Sequence, residues 1–194
     1  MARPMRARRG SLLWLGVIVV VGVALGALAS IPLLRGTADG TQGSLVGMPA
    51  PAIEATDLEG RAWTLDDGAG RLTWVNFWAT NCEPCRTEMP AMQRLAEEYG
   101  DRLLVLGVDW GESRQSVEDF VARYEIGYPI LLDPTLDNFY RWSSLDGLPR
   151  HYFVDGDGKV VREVIGPLDP TRMAAILEEL LGAISSIQLP AATT

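Results

Sequence analysis

The feature that most constrains the fold is an apolar strand that leads directly into a helix carrying both cysteines of the chain. Residues 72–77, LTWVNF, form the short and almost entirely apolar run that is typical of a buried strand. Apolar side chains then recur at helical spacing from Glu83 to Tyr99. A second buried strand is predicted at residues 103–108, LLVLGV. This order of strand, helix and strand implies a parallel pair of strands.

The rest of the domain continues the alternation of strands and helices. We predict an N-terminal hairpin from residues 53–57 and 62–65, a second helix at 116–126, a hairpin with a glycine turn from 151–155 and 159–165, and a closing helix at 170–184. Because the later hairpin adds antiparallel strands, the sequence predicts an α/β fold in which helices flank a mixed central sheet.

The N-terminus has the charge pattern of a membrane anchor. Residues 1–35 carry five arginines and no acidic side chain, and residues 11–34 carry no charge. A helix of that length spans a hydrocarbon core of about 30 Å. Because basic flanks stay in the cytoplasm, we predict a cytoplasmic segment at 1–10 and a transmembrane signal-anchor helix at 11–34, with the domain on the extracytoplasmic side.

A cleaved signal peptide is the competing interpretation of the same segment. Ala27-Leu28-Ala29 has the small-x-small form that signal peptidases accept, although the apolar run is longer than a usual signal sequence. Either interpretation places the domain outside the cytoplasm.

Composition sets the limits of the folded domain. We predict a flexible linker at 35–46, a folded domain at 47–186 and a flexible tail at 187–194. All 25 acidic side chains follow residue 35, so the domain is strongly acidic. Such a domain repels phosphate backbones, which argues against nucleic-acid binding.

The two cysteines, Cys82 and Cys85, could in principle form several kinds of site. A structural zinc site needs four ligands, whereas the chain offers these two thiols and one histidine, His151. Attachment of a c-type haem needs histidine directly after the second cysteine, where Arg86 stands. A purely structural disulfide would close a very small loop and stabilise little.

A redox-active dithiol fits this stretch best. The unsatisfied N–H groups and the dipole at the start of a helix favour a thiolate at Cys82, which would be the nucleophile, while Cys85 would be the resolving thiol. Pro84 suits the first helical turn because it has no N–H to leave unsatisfied. Glu83 places a negative charge beside the thiolate and tends to raise the pKa of the thiol. That effect argues for a reductant rather than a strong oxidant.

Three segments in order resemble the membrane-anchored, extracytoplasmic thioredoxin-like proteins of the TlpA/ResA/CcmG group. They are GMPAPAIEATDLEGRAWTL, WVNFWATNCEPCRTEMP and GLPRHYFVDGDGKV. The Cys-Glu-Pro-Cys form in particular resembles the ResA branch. The resemblance implies a thioredoxin-like fold with a central insert, here Ile126 to Leu145, in a single-pass protein of the bacterial cell membrane.

The resemblance also implies further site residues. Pro149 stands where the family has a cis-proline beside the dithiol, and Glu88 stands where it has an acid that influences proton transfer. Asn76 occupies the position of the buried aspartate of ordinary thioredoxins, so Glu88 becomes the candidate for moving the proton of Cys85. The alternative for Glu88 is a solvated helix acid, paired with Arg86 or Arg94.

The chain departs from the family around the site. Asn81 precedes the first cysteine, where an aromatic residue is usual. Arg150 and His151 follow Pro149, where threonine is commoner, and they bring possible positive charge to the site. For His151 we expect the first position of a strand, with a role as acid, base or ligand as the alternative.

The function implied is reduction of disulfides in partner proteins, such as apocytochrome c during cytochrome c maturation. A membrane thiol electron donor of the CcdA or DsbD type would restore the dithiol, and no cofactor or metal is required. The alternatives are net oxidation of exported proteins and a copper-handling module that uses Cys82, Cys85 and His151. A peroxidase is less consistent with the sequence, since Thr80 is too close to Cys82 for the TxxC spacing.

Overall fold

The computed structural model describes residues 44–188. The segments predicted at 1–10 and 11–34 lie outside the described residues. Within residues 44–188, no helix is both long enough and apolar enough to cross a membrane.

The described chain forms a mixed sheet of seven strands. The strands are β1 (Ala55–Asp57), β2 (Ala62–Trp63), β3 (Leu72–Trp78), β4 (Leu103–Asp109), β5 (Ile130–Leu132), β6 (Arg150–Val154) and β7 (Val160–Ile165). Their order across the sheet is β2-β1-β5-β4-β3-β6-β7. Strands β3, β4 and β5 are parallel, and the other pairings are antiparallel. The predicted parallel pair and both predicted hairpins are therefore confirmed.

Within the described residues, four α-helices connect or flank the strands. They are α1 (Glu83–Tyr99), α2 (Arg114–Tyr124), α3 (Asp137–Trp142) and α4 (Pro170–Gln188). Short 3-10 turns occur at Leu65–Gly68 and Gly100–Arg102. The predicted insert supplies β5 and α3, as the resemblance implied.

Two predicted boundaries are corrected. Helix α4 runs past Ile184 to Gln188, so the tail predicted from residue 187 starts inside a helix. The next proline after Pro170 is Pro190, so no proline ends the helix before Gln188. At the other end, Ser44 and Leu45 already donate hydrogen bonds to Glu163, so the fold begins before residue 47.

The central strands divide the core into two clusters. Every residue of β3 and β4 is buried, and successive side chains of a strand point to opposite faces. Trp74 and Trp78 join the cluster that contains Cys85 and residues of α1, α2 and α4. Val75 and Phe77 join the cluster that contains residues of α3. The cysteine-bearing helix is therefore packed against one face of β3.

A buried amide fastens the insert to the N-terminal part of the domain. Asn138 accepts a hydrogen bond from the backbone N–H of Glu54 at 2.9 Å and donates one to the Glu54 carbonyl at 3.2 Å. Asp133 accepts from the Asn138 side chain and from the backbone N–H of Phe139. An exposed ion pair between Arg141 and Glu54, at 3.7 Å, links the same two segments.

We expect Asn138→Ala to lower the free energy of unfolding by about 1–3 kcal/mol, because it leaves buried hydrogen-bonding groups without partners. Arg141→Ala is the matched control and should change stability by less than about 1 kcal/mol, since exposed ion pairs contribute little. Urea unfolding of both variants measures the difference. Equal losses in the two variants would contradict the role given to Asn138.

Candidate active site

The two cysteines form a disulfide at the start of α1. Cys82 caps the helix, and its sulfur accepts a hydrogen bond from the backbone N–H of Cys85 at 3.3 Å. Cys82 is partly exposed, whereas Cys85 is completely buried. A partner molecule can therefore reach only the Cys82 sulfur, and Cys85 can react only from within the protein.

The two residues between the cysteines are exposed on the first turn of α1. Pro84 occupies this turn as predicted, where its missing N–H has no helical partner. Glu83 forms an ion pair with Arg86 at 2.6 Å. The guanidinium offsets part of the negative charge that Glu83 brings to the dithiol. The ion pair therefore weakens the effect that was predicted for Glu83 alone.

The turn that precedes Cys82 is braced by the loop after β4. The backbone N–H and the hydroxyl group of Thr80 both donate hydrogen bonds to the Glu112 carboxylate. The Glu112 N–H in turn donates to Asp109, which is buried at the end of β4. Burial raises the pKa of Asp109 to about 7. Neither acid was predicted from the sequence; the available signal was their position at and just past the carboxyl end of a buried strand.

The Leu148–Pro149 peptide bond is cis, the form that the resemblance implies. Pro149 is buried and directly precedes Arg150, which pairs with Phe77 in the sheet. Pro149 therefore lies beside the end of β3 that leads into the cysteine turn. Its carbonyl group accepts a hydrogen bond from the backbone N–H of Gly166 at 2.9 Å.

Arg150 holds the loop in front of the cis-proline. Its side chain is 2% exposed and donates to the carbonyl groups of Gly147 at 3.0 Å and Leu145 at 2.7 Å. The guanidinium group also lies over the Phe139 ring, in the cluster on the α3 face of the sheet. Arg150 therefore acts on the loop that carries Pro149 and not on the cysteine face.

Glu88 lies one turn after Cys85 on the same helix and is 3% exposed. Its Oε2 atom accepts a hydrogen bond from the backbone N–H of Leu168 at 3.1 Å, and its Oε1 atom lies 3.4 Å from Nε2 of His151. Burial raises the pKa of Glu88 to about 8, and the Leu168 N–H opposes this rise. The alternative of a solvated acid paired with Arg86 or Arg94 is therefore wrong, because the side chain points into the core.

His151 is the neighbour of Glu88 that the sequence did not reveal. The strand was predicted to begin at His151; β6 begins one residue earlier, at Arg150, and His151 pairs with Asn76 across the sheet. The ring is completely buried, and its Nδ1 atom lies 3.2 Å from both the Trp74 indole nitrogen and the Asn76 amide nitrogen. Burial lowers the pKa of His151 to about 3. His151 therefore does not supply the possible positive charge at neutral pH.

The three ligands of the copper alternative are not brought together. Among residues 44–188, no group of three His, Cys, Asp or Glu side chains is arranged to hold a metal ion. The two ring nitrogens of His151 instead lie near Trp74, Asn76 and Glu88.

A cleft of about 270 Å³ opens beside the cysteine turn. Thr80 and Arg86, which flank the two cysteines in sequence, line one side, and residues of α2 line the other, among them Phe120, Arg123 and Tyr124. The lining combines two aromatic rings with the cationic side chains of Arg86 and Arg123 and the acidic side chain of Asp119.

Comparison with known proteins agrees with this architecture. A thiol:disulfide interchange protein of the thioredoxin family from Chlorobium tepidum TLS has a crystal structure that matches with a TM-score of 0.62. The match covers 69% of this chain and 96% of that chain at 24% identity, and it establishes a thioredoxin-like fold.

Sequence relatives establish the family. The model of the AhpC/TSA family matches residues 46–163. The thiol-disulfide oxidoreductase ResA of Bacillus cereus (strain ZK / E33L) is 32% identical over 136 residues, which cover 70% of this chain and 78% of the relative. The thioredoxin-like protein YneN of Bacillus subtilis (strain 168) is 34% identical over 136 residues, with 68% and 78% covered. The predicted resemblance to ResA is thus confirmed, and the chain belongs to the AhpC/TSA family of thioredoxin-like proteins.

Proposed function

We propose that this protein is a thiol–disulfide oxidoreductase that reduces disulfides in partner proteins outside the cytoplasm. The observation that carries the proposal is the asymmetry of the cysteine pair: Cys82 is accessible at a helix N-terminus, and Cys85 is buried one turn before a buried acid, Glu88. The names of the relatives, thiol-disulfide oxidoreductase ResA among them, support the same reaction class.

The reaction begins from the reduced protein. The Cys82 thiolate attacks one sulfur of a partner disulfide, forming a mixed disulfide while the other partner sulfur leaves as a thiolate. Cys85 then attacks the Cys82 sulfur, and the second partner sulfur leaves. The partner gains two electrons and two protons and becomes a dithiol. The protein keeps the Cys82–Cys85 disulfide that the structure contains.

Glu88 is the group that would take the proton from the Cys85 thiol. The two residues lie one turn apart on the same helix face and are both buried, so no solvent base reaches Cys85 directly. The pKa of Glu88 is raised to about 8 by burial, which is close to the ordinary value for a thiol of about 8.5. A base matched in this way accepts the proton at little cost in free energy.

The roles of the neighbouring residues follow from their positions. Pro149, next to the end of β3, would present its backbone to the substrate strand, and Arg150 would hold its loop in place. The cleft lined by Arg86 and Phe120 gives a partner polypeptide a surface beside Cys82. Glu83 and Pro84 would tune the redox properties of the pair.

The partners proposed rest on the resemblance to ResA. The substrate would be apocytochrome c, whose haem-binding cysteines must be free thiols. A membrane electron donor of the CcdA or DsbD type would reduce the Cys82–Cys85 disulfide by the reverse exchange. The charge pattern of residues 1–35 supports a single-pass anchor at 11–34 that keeps the domain at the bacterial cell membrane.

Net oxidation of exported proteins is the second candidate. The ion pair between Arg86 and Glu83 favours it, because the guanidinium offsets the charge that would otherwise destabilise a thiolate at Cys82. A stabilised thiolate makes a dithiol couple more oxidising. The direction of electron flow therefore has to be measured.

We expect Cys85→Ser to accumulate a mixed disulfide between Cys82 and an oxidised apocytochrome c fragment, because the resolving thiol is missing. Non-reducing gels and intact-mass measurement of the reduced full-length variant detect the adduct. Cys82→Ser is the matched control and should form little adduct, because Cys85 is buried. Equal trapping by both variants would contradict the assigned roles, and rapid reduction by the parent protein would support the reductant over the oxidant.

The burial of Glu88 predicts a pH-dependent stability. Between the ordinary pKa of about 4.5 and the folded pKa of about 8, the folded state binds one proton more than the unfolded state. The stabilisation of the folded state by this proton is therefore fully present below pH 4.5 and is lost as the pH rises to 8. Glu88→Gln is neutral throughout, so its stability relative to the parent should rise across this range by several kcal/mol, at about 1.4 kcal/mol per pKa unit.

Chemical unfolding of the oxidised parent and Glu88→Gln at pH 4, 6 and 8 measures this effect. Glu83→Gln is the control, because Glu83 is exposed, and its difference from the parent should stay nearly constant with pH. A constant difference for Glu88→Gln as well would show that Glu88 titrates as an ordinary solvated acid.

A further inference from the structure

Four side chains form a buried polar cluster on the cysteine-bearing side of the sheet: Trp74, Asn76, Glu88 and His151. Trp74 and Asn76 lie on β3, His151 on β6 and Glu88 on α1. The proposed reaction uses Glu88 but assigns nothing to the imidazole ring that faces it. Buried polar groups normally have hydrogen-bond partners, so the position of this ring beside a proton acceptor calls for an explanation.

The hydrogen bonds of the cluster fix the tautomer of His151. The indole nitrogen of Trp74 can only donate, so Nδ1 of His151 must accept its hydrogen bond. The Asn76 amide nitrogen, at 3.2 Å, is a donor to the same atom. Burial keeps the ring neutral by lowering its pKa to about 3. A neutral imidazole whose Nδ1 accepts carries its single proton on Nε2.

The protonated ring nitrogen, Nε2, is therefore the one that lies nearest the Glu88 carboxyl group. Nε2 lies 3.4 Å from Oε1, while the Leu168 N–H donates to Oε2 at 3.1 Å. The Leu168 N–H group thus holds Oε2, whereas Oε1 of Glu88 and Nε2 of His151 lie next to each other as buried atoms without a hydrogen-bond partner. The Leu168 bond favours the ionised carboxyl group and opposes the effect of burial, and a second bond from Nε2–H to Oε1 would act in the same direction. The Nε2···Oε1 separation is longer than an ordinary hydrogen bond, and we expect it to shorten when Glu88 ionises.

We propose that His151 is a positioning residue for Glu88: its Nε2–H group orients the carboxyl group and favours the carboxylate that accepts the Cys85 proton. This inference rests on the proposed function for its chemical purpose. Its structural content, a fixed imidazole tautomer that senses the charge of Glu88, stands independently of any substrate.

The other charged or titratable groups that face the cluster are Tyr128, Arg172 and Cys85. Tyr128, in the loop before β5, is buried, and burial together with the Glu88 charge raises the pKa of its hydroxyl group. Arg172 on α4 is cationic and helps to lower the pKa of His151, against the opposing effect of the Gly166 carbonyl group. Cys85 does not titrate while it is in the disulfide. In the oxidised protein, Glu88 is therefore the group of this cluster that changes charge near pH 8.

The chain itself makes this testable, because His151 is its only histidine. Labelling the oxidised full-length protein with ring-¹⁵N histidine in detergent micelles gives one pair of ring nitrogen resonances. At pH 7 we expect an unprotonated Nδ1 and a protonated Nε2. On raising the pH, the Nε2 resonance should shift with a midpoint near 8, as Glu88 ionises. In Glu88→Gln this transition should be absent.

The results that would overturn the inference are equally definite. A protonated Nδ1, an imidazolium ring at pH 7, or the same transition in Glu88→Gln would each show that His151 does not serve Glu88. None of these measurements involves a disulfide substrate. Their outcome can therefore be interpreted even if the protein does not have the proposed function.

Variants of the ring test its effect on Glu88. We expect His151→Leu to raise the titration midpoint of Glu88 by about one pH unit, since it removes an N–H donor from a charged acceptor. His151→Gln keeps an amide donor and should stay closer to the parent. Carboxyl ¹³C signals of labelled glutamate, with Glu88 identified by its loss in Glu88→Gln, report the midpoint.

Trp74→Phe keeps the assay informative if the leucine variant does not fold. It retains a ring to stack on Phe153 but removes the indole donor, which can only donate. The remaining neighbour of Nδ1, the Asn76 amide, can turn its unpartnered oxygen to Nδ1 and so accept from the other tautomer. We expect mixed tautomers of His151 and a raised midpoint for Glu88. An unchanged midpoint in Trp74→Phe, or in a folded His151→Leu, would overturn the proposal.

Discussion

The antiparallel pairing of β3 with β6 is the constraint on which the site depends. It sets His151 opposite Asn76 and Arg150 opposite Phe77, and it brings Pro149 beside the end of β3 that leads to Cys82. Because neighbouring side chains of a strand point to opposite faces, His151 reaches Glu88 while Arg150 holds the loop on the other side. A register shift of one residue would exchange these two roles.

The difference in burial between the two cysteines determines the role of each in the proposed reaction. Cys82 stays accessible at the helix start, whereas Cys85, Glu88 and His151 are shielded from water. Shielding raises the pKa of Glu88 toward that of a thiol and keeps His151 neutral. The same shielding costs stability, because the core must hold a carboxyl group that ionises near pH 8. The burial of Glu88 thus has two consequences: it makes the carboxyl group a suitable proton acceptor for a thiol, and it lowers the stability of the fold.

Sequence patterns predicted most of the fold and only part of the site. Helix α1, both central strands and both hairpins follow from local periodicity and glycine turns. The position of the cysteines followed from the same periodicity, and the resemblance pointed to Pro149 and Glu88. Three features were not predicted: the contact between Glu88 and His151, the hydrogen bonds from Thr80 to Glu112, and the hydrogen bonds from Arg150 to the loop before Pro149. Each depends on residues far apart in sequence, or on a side chain whose direction only the assembled sheet decides.

The direction of electron flow is the central claim, and the reduction potential of the Cys82–Cys85 couple tests it most directly. Equilibration of the full-length protein with dithiothreitol and glutathione buffers at pH 7, read by thiol alkylation and mass, gives the value. We predict a potential near or below that of thioredoxin, about -270 mV, as a reductant of partner disulfides requires. A value near that of DsbA, about -120 mV, would make the protein an oxidant and contradict the account.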